Sequence, residues 1–247
     1  MPRFYPSVLI ADAYGSVGEV TFYHRGCKCY YRKRSAGNYP GTPSQLAHLD
    51  VHRRALAAWR EVPHQMQQVW NHLAEEVEPH RPPFDHKAFI SGQNLFVSAY
   101  HGFATLGNEH MPSPVPFESF PPFAAFLGDA VKMNGGLVIP ARVEIPHCPD
   151  ASRYRLLVKI QLTAPGRCRH LGLLRNYLAE GDCAAGVVSV VIPGYAGVWG
   201  FDLDQFQVYA RFILLDSITG YRSQYHEYAT LIRATEGTAT GPVSQED

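Results

Sequence analysis

The chain has 247 residues, 46% of them hydrophobic and 18% charged, a composition that buries a core and excludes wholesale disorder. Its length is comfortable for two small domains. Formal net charge is zero, yet residues 1–60 hold nine Lys/Arg against three Asp/Glu and the remainder thirteen against nineteen, a split of +6 and −6.

That asymmetry gives a basic face for an anionic partner, complementarity between neighbouring copies, or attraction between the two ends of one chain. Nineteen prolines and fourteen tyrosines favour short strands and many loops. Five scattered cysteines, Cys27, Cys29, Cys148, Cys168 and Cys183, do not read as a disulfide framework. Val8-Leu9-Ile10-Ala11 is cut short by Asp12 and does not read as a signal peptide. No apolar run approaches the ~20 residues a spanning helix needs. The expectation is a protein of a reducing, cytoplasmic compartment, without membrane insertion.

After a short lead-in, Val20, Phe22 and His24 alternate with Glu19, Thr21 and Tyr23, the period of a strand. Arg25-Gly26 supplies a tight turn. In the return strand Cys27, Cys29, Tyr31 and Lys33 share one face, and Lys28, Tyr30, Arg32 and Arg34 share the other. Ser35 to Gly41 is a loop. Thr42 then caps a helix with Gln45 three residues on and Pro43 at its first position; Leu46, Leu49, Leu56 and Trp59 fall on one stripe. Pro63 opens a second helix carrying Met66, Val69, Trp70, Leu73 and Val77. Pro79 to Pro83 breaks the helical run. A third helix is predicted over Ser91–Leu106, with Ser91 as its cap. Five prolines in the thirteen residues from Met111 to Phe123 give a stiff connector.

Beyond it, strands are predicted over 136–146, 153–163, 187–193, 205–216 and 221–233. Tyr154, Leu156, Val158, Ile160 and Leu162 form one core face; Phe206, Val208, Ala210, Phe212 and Leu214 form another. Ser217 to Gly220 makes a turn. Leu171 to Leu178 is either a short helix or a strand.

The glycine-led segment Gly18-x-Val20-x-Phe22 to Tyr31-Arg32, the run Thr42-Pro43-x-Gln45 with Arg53 and Trp59, and Ser91-Gly92-x-Asn94-Leu95-Phe96 together resemble an uncharacterised family widespread in Bacteroidetes. The closing pair, Val208-Tyr209-x-Arg211-Phe212 to Ser223-Gln224-Tyr225, is similar to that family's last hairpin. The resemblance implies an N-terminal hairpin-and-helix region followed by an immunoglobulin- or fibronectin-like sandwich. It implies no catalytic residues.

Arg25, Lys28, Arg32, Lys33, Arg34 and Arg54 form a basic face, with Tyr23 and Tyr30 placed to stack; lysine and arginine neutralise phosphates and tyrosine stacks on bases. The plain alternative is a solvated hairpin meeting an acidic protein patch. His48 and His52 have zinc-helix spacing but no Glu between them and no third ligand. Cys27 and Cys29 with His24 fall short of four soft ligands. No metal or cofactor is expected. No nucleophile elbow or phosphate loop occurs, and pairing Asp202 or Asp204 as acid and base has no support.

The reading is α+β: an N-terminal hairpin with about three helices over residues 1–110, a proline-rich linker over 111–126, an antiparallel β-sandwich over 127–234 and a tail over 235–247. The expected role is non-enzymatic: a structural, assembly or interaction protein, in a setting such as a phage-like assembly. Its hairpin contacts an anionic partner or a neighbouring subunit. The alternative is a nucleic-acid-associated binding protein.

Overall fold

A computed structural model describes residues 3–4, 15–25, 28–33, 42–77, 90–108, 110–116, 118–170 and 173–237. It divides into two compact units: residues 1–97 with 114–117, and residues 98–113 with 118–247. The fold is α+β, as expected.

In the first unit a four-stranded antiparallel sheet has the order β1-β4-β3-β2, formed by β1 (Arg3–Phe4), β2 (Gly15–Val17), β3 (Val20–Arg25) and β4 (Lys28–Lys33). Gly18 turns β2 into β3 at φ +55°, a left-handed conformation that glycine adopts without steric cost. The predicted turn at Gly26, together with Cys27 and Arg34, lies outside the described residues.

Helix α1 (Pro43–Glu61) begins as its sequence dictates. Gln45 N donates to Thr42 Oγ1 at 3.3 Å and Thr42 N to Gln45 Oε1 at 2.9 Å, a reciprocal capping box. Its far end is closed by a device the pattern did not reveal: Gln67 Nε2, from α2 (His64–Glu76), donates to the carbonyls of Trp59 and Val62. Ser91 caps α3 (Gly92–Thr105) through Asn94 N. Phe96 is fully buried between the rings of Trp59 and Trp70, at 5.3 and 5.6 Å. Gly92 permits this packing, because a Cβ there would fall 2.5 Å from Asn71 N. Leu46, Met66 and Val69, predicted on the buried stripes, are instead exposed; Ala55, Trp70, Leu73 and Ala74 carry the burial.

The second unit is a sheet of eight strands. Its order is β10-β7-β6-β12-β11-β8-β9, with β5 pairing the far end of β7. The ranges are β5 Ala124–Leu127, β6 Ala130–Met133, β7 Gly136–Glu144, β8 Tyr154–Thr163, β9 Arg175–Leu178, β10 Val187–Pro193, β11 Gln205–Asp216 and β12 His226–Glu236. The open segment 171–178 therefore ends as a strand, β9. β5 starts inside the expected connector, and β12 runs two residues into the expected tail. The sheet is mixed, not purely antiparallel, because β12 runs parallel to β6 over three residue pairs.

Glu180, just past β9, and Ser189 of β10 exchange two backbone hydrogen bonds of 2.7 and 2.8 Å. That bridge joins the two ends of the strand order into a ring. One core fills the ring: Leu156, Val158, Ile160 and Leu162 of β8 and Phe206, Val208, Phe212 and Leu214 of β11 meet Leu137, Ile139, Val190 and Ile192 of β7 and β10. Both predicted core faces are buried as read. The other face of β8 is covered in part as well, since Leu157 and Gln161 are 1% and 2% exposed.

Several ties brace this unit. At the end of β11, Arg153 grips Asp216 through Nε (2.9 Å) and Nη2 (2.6 Å), while Ile218 N and Thr219 Oγ1 also donate to that carboxylate. Burial acts to raise the Asp216 pKa, but these donors, Arg153 foremost, hold it below the usual carboxylate range. Arg222 Nη2 donates to the His101 carbonyl and to Thr105 Oγ1, near the C-terminus of α3, where the helix dipole favours a cation. Gly102 and Gly220 meet backbone to backbone, leaving no room for a Cβ at Gly102.

Candidate binding face of the N-terminal hairpin

The β3–β4 register decides which residues of the basic segment act together. Thr21 lies opposite Arg32, Tyr23 opposite Tyr30 and Arg25 opposite Lys28; strand alternation puts these six positions on one face. The tyrosine rings stack on each other, with centroids 5.8 Å apart and planes 21° from parallel, and the Arg32 guanidinium lies 5.9 Å from the Tyr23 ring centroid. The result is a short ribbon of aromatic surface edged with cationic positions. Arg25 and Lys28 are paired positions at the turn end of this face.

The remaining predicted site residues do not join this ribbon. Lys33 belongs to the other face, opposite Val20, and its Nζ is 3.5 Å from Glu19 Oε2. Arg54 lies on α1 and pairs with Asp50 at 3.2 Å, an i,i+4 contact along the helix. The tyrosines expected to stack on bases stack on each other. On the opposite face Phe22 and Tyr31 meet at 6.4 Å.

Among the described residues of β2–β4 none is buried. Val20 and Phe22 are half-buried and Tyr31 is exposed, so the hairpin presents both faces rather than giving one to a core.

Sequence reading missed two charged clusters in the second unit. Lys132 Nζ reaches Asp202 at 2.8 Å, Asp204 at 3.1 Å and Glu236 at 3.4 Å. Tyr195 Oη donates to the same Asp202 oxygen at 2.6 Å. Burial and that hydrogen bond push the Tyr195 phenol up to about 12, so Tyr195 stays protonated and the cluster acts as a clasp. The other cluster gathers Arg169, Arg211 and Glu227, with Arg211 4.4 Å from the centroid of the Tyr225 ring. Period-2 alternation places Tyr209 and Arg211 on one face of β11, but the arrival of Arg169 from a loop has no sequence signal.

Cys148, Cys168 and Cys183 are free thiols; burial pushes Cys183 up to about 11, which leaves it an unreactive core residue. Among the described residues no group of three or more His, Cys, Asp or Glu is arranged to hold a metal ion, and no helix is long and apolar enough to cross a membrane.

No protein-family model matches the chain, and no curated protein matches it. Among the solved structures similar over part of it are the following two. OgpA from Akkermansia muciniphila shares 13% identity over 60% of this chain, at a TM-score of 0.28, and the match spans 36% of OgpA. AggA, the major subunit of aggregative adherence fimbriae type I from Escherichia coli, shares 9% identity over 49% of this chain and all of its own length, at a TM-score of 0.23. At those TM-scores neither likeness carries an argument about fold or function.

Proposed function

We propose that the protein is a non-enzymatic interaction and assembly protein. Its hairpin face, built on Arg25, Lys28, Arg32, Tyr23 and Tyr30, docks on an acidic protein surface, and the occupant is the acidic remainder of a neighbouring copy. The observation that carries this reading is the ribbon itself: Arg32 lies beside a stacked tyrosine pair, on the face that also holds the positions of Arg25 and Lys28.

Two further features support the reading. The chain holds its own complement, +6 in residues 1–60 and −6 beyond, and opposed charge of this kind speeds encounter and fixes register. Tyrosine and arginine are also the side chains that concentrate binding energy in protein interfaces. On this reading the ring of strands in the second unit is the scaffold, a sandwich of the immunoglobulin or fibronectin kind as in the Bacteroidetes family, acting in the cytoplasm as part of a repeating, phage-like assembly.

The test is light scattering on the full chain across ionic strength. At about 0.01 M salt, where the Debye length is ~30 Å, a species larger than one chain is expected; at about 1 M, where it is ~3 Å, that species dissociates. A single chain at every salt concentration overturns the reading. If the protein instead retains single-stranded DNA, with a salt slope that Arg32→Ala reduces, nucleic acid takes the place of the neighbouring copy.

A further inference from the structure

We propose that the outer face of the β9-β8-β11-β12 layer holds a second binding site, one for a small carboxylate-bearing ligand with a flat ring. It is independent of the hairpin and lies in a different unit.

Strand register builds the site. On one row across the sheet Asn176 of β9 lies opposite Lys159 of β8, Lys159 opposite Arg211 of β11, and Arg211 opposite Glu227 of β12. The next row sets Gln161 opposite Tyr209 and Tyr209 opposite Ala229. Residues 164–170 fold back along this row: His170 N donates to the buried Gln161 Oε1 at 2.9 Å, and Tyr209 Oη donates to the Arg167 carbonyl at 2.8 Å. These two hydrogen bonds fix the loop and deliver Arg169 to the sheet. Between loop and strands lies an open groove of about 400 Å³, lined by Cys168, Arg169, Tyr209, Glu227, Tyr228 and Ala229, a volume in the range of small-ligand sites.

The chemistry follows from what occupies the arginines. Glu227 accepts Arg169 Nη1 at 2.6 Å and Arg211 Nε and Nη2 at 3.1 and 2.7 Å; hydrogen bonds from Arg169 and then Arg211 hold its carboxyl below the usual range. Its carboxylate thus shows the geometry in which this pair receives a carboxylate. Arg169 engages it through Nη1, and its side chain is 43% exposed on the groove wall. Two cations, Arg169 and Arg211, converge on one carboxylate, a local excess of +1. Arginine forks favour planar carboxylates, and Tyr209 lines the groove beside them. A ligand carboxylate competes with Glu227 for the arginines while its ring lies along Tyr209.

Competition gives a test with opposite signs. Calorimetric titration of the full chain uses two acid and neutral pairs: benzoate with benzamide, and N-acetyltyrosine with its amide. Binding of an acid and not of its neutral partner supports the site, and the pair that responds tells a bare aromatic acid from an aromatic amino-acid derivative. Glu227→Gln, which keeps an acceptor and removes the charge, is expected to tighten acid binding; Arg169→Ala is expected to weaken it about tenfold or more. Equal binding of acid and neutral partner, no binding of either acid, no tightening in Glu227→Gln, or no loss in Arg169→Ala overturns the proposal. Far-ultraviolet circular dichroism of both variants shows that the sheet is intact, and Lys33→Ala serves as a surface control with unchanged binding.

Discussion

The hairpin sheet of the first unit and the ring of strands in the second are written in the same code, alternating apolar and polar residues, and they use it differently. Along β8 and β11 the apolar set is buried almost completely, with Val158, Ile160, Phe206, Val208 and Leu214 at zero exposure. Along β3 and β4 the corresponding set, Val20, Phe22 and Tyr31, is half-buried or exposed. The ring strands have partners that close around a common interior. The described hairpin strands bury no residue fully. Alternation specifies a strand with two chemically distinct faces; a second layer decides whether the apolar face becomes core.

Five substitutions break or sharpen that comparison. Phe206→Ala removes a fully buried ring that packs on Tyr195 and Phe201 and is expected to cost about 3–5 kcal/mol in urea unfolding; the equivalent truncation in the hairpin, Phe22→Ala, is expected to cost less than about 1.5 kcal/mol.

Removing one partner of the Arg153–Asp216 pair comes next. Asp216→Ala leaves the Arg153 guanidinium, 18% exposed, with Glu118 as its remaining carboxylate and is expected to cost about 3 kcal/mol, the low end for a broken buried pair. The sign of its pH dependence follows from the lowered native pKa. The contribution is complete above the unfolded value of about 3.9, and it is lost as pH falls below that toward the lowered native value. Unfolding of wild type measured between neutral and strongly acidic pH is therefore expected to show a loss of stability at the acid end that Asp216→Ala lacks.

Gly102→Ala forces a Cβ against the Gly220 carbonyl and is expected to cost about 1–3 kcal/mol, the range of overpacked sites. The smallest stability effect falls on the face proposed to bind: Tyr23→Ala loses one tyrosine stack and the Arg32 contact, together about 1 kcal/mol or less, yet it is expected to weaken self-association measurably.

The ring was legible strand by strand because β7, β8, β10 and β11 are long and cleanly periodic. Its short members were not. β5, β6 and β9 have four residues each, too few to establish a period, and they owe their pairing to neighbours. The helix starts were legible from Thr42, Gln45 and Ser91, since capping is local. The α1 terminus was not, because Gln67 reaches it from another helix.

The same boundary divides the candidate sites. Composition located the basic hairpin, and alternation put Lys28 and Arg32 with Tyr30, and Lys33 on the other face. It could not show that Arg25 belongs to β3 rather than to the turn, or which face of β3 meets which face of β4; the register supplies both. Arg169 and Glu227 stand 58 positions apart in the chain and meet through a loop whose path depends on Gln161 and Tyr209. No local pattern encodes that.

The most direct test of the account sets a charge reversal of the hairpin face against the wild-type chain. Sedimentation velocity at low ionic strength is compared for wild type and the double variant Lys28→Glu/Arg32→Glu, with thermal unfolding followed on both. The account predicts that the variant sediments as a single chain where wild type associates, while the two unfold within a few degrees of each other. Equal association of the two proteins, or association lost only together with the fold, contradicts it.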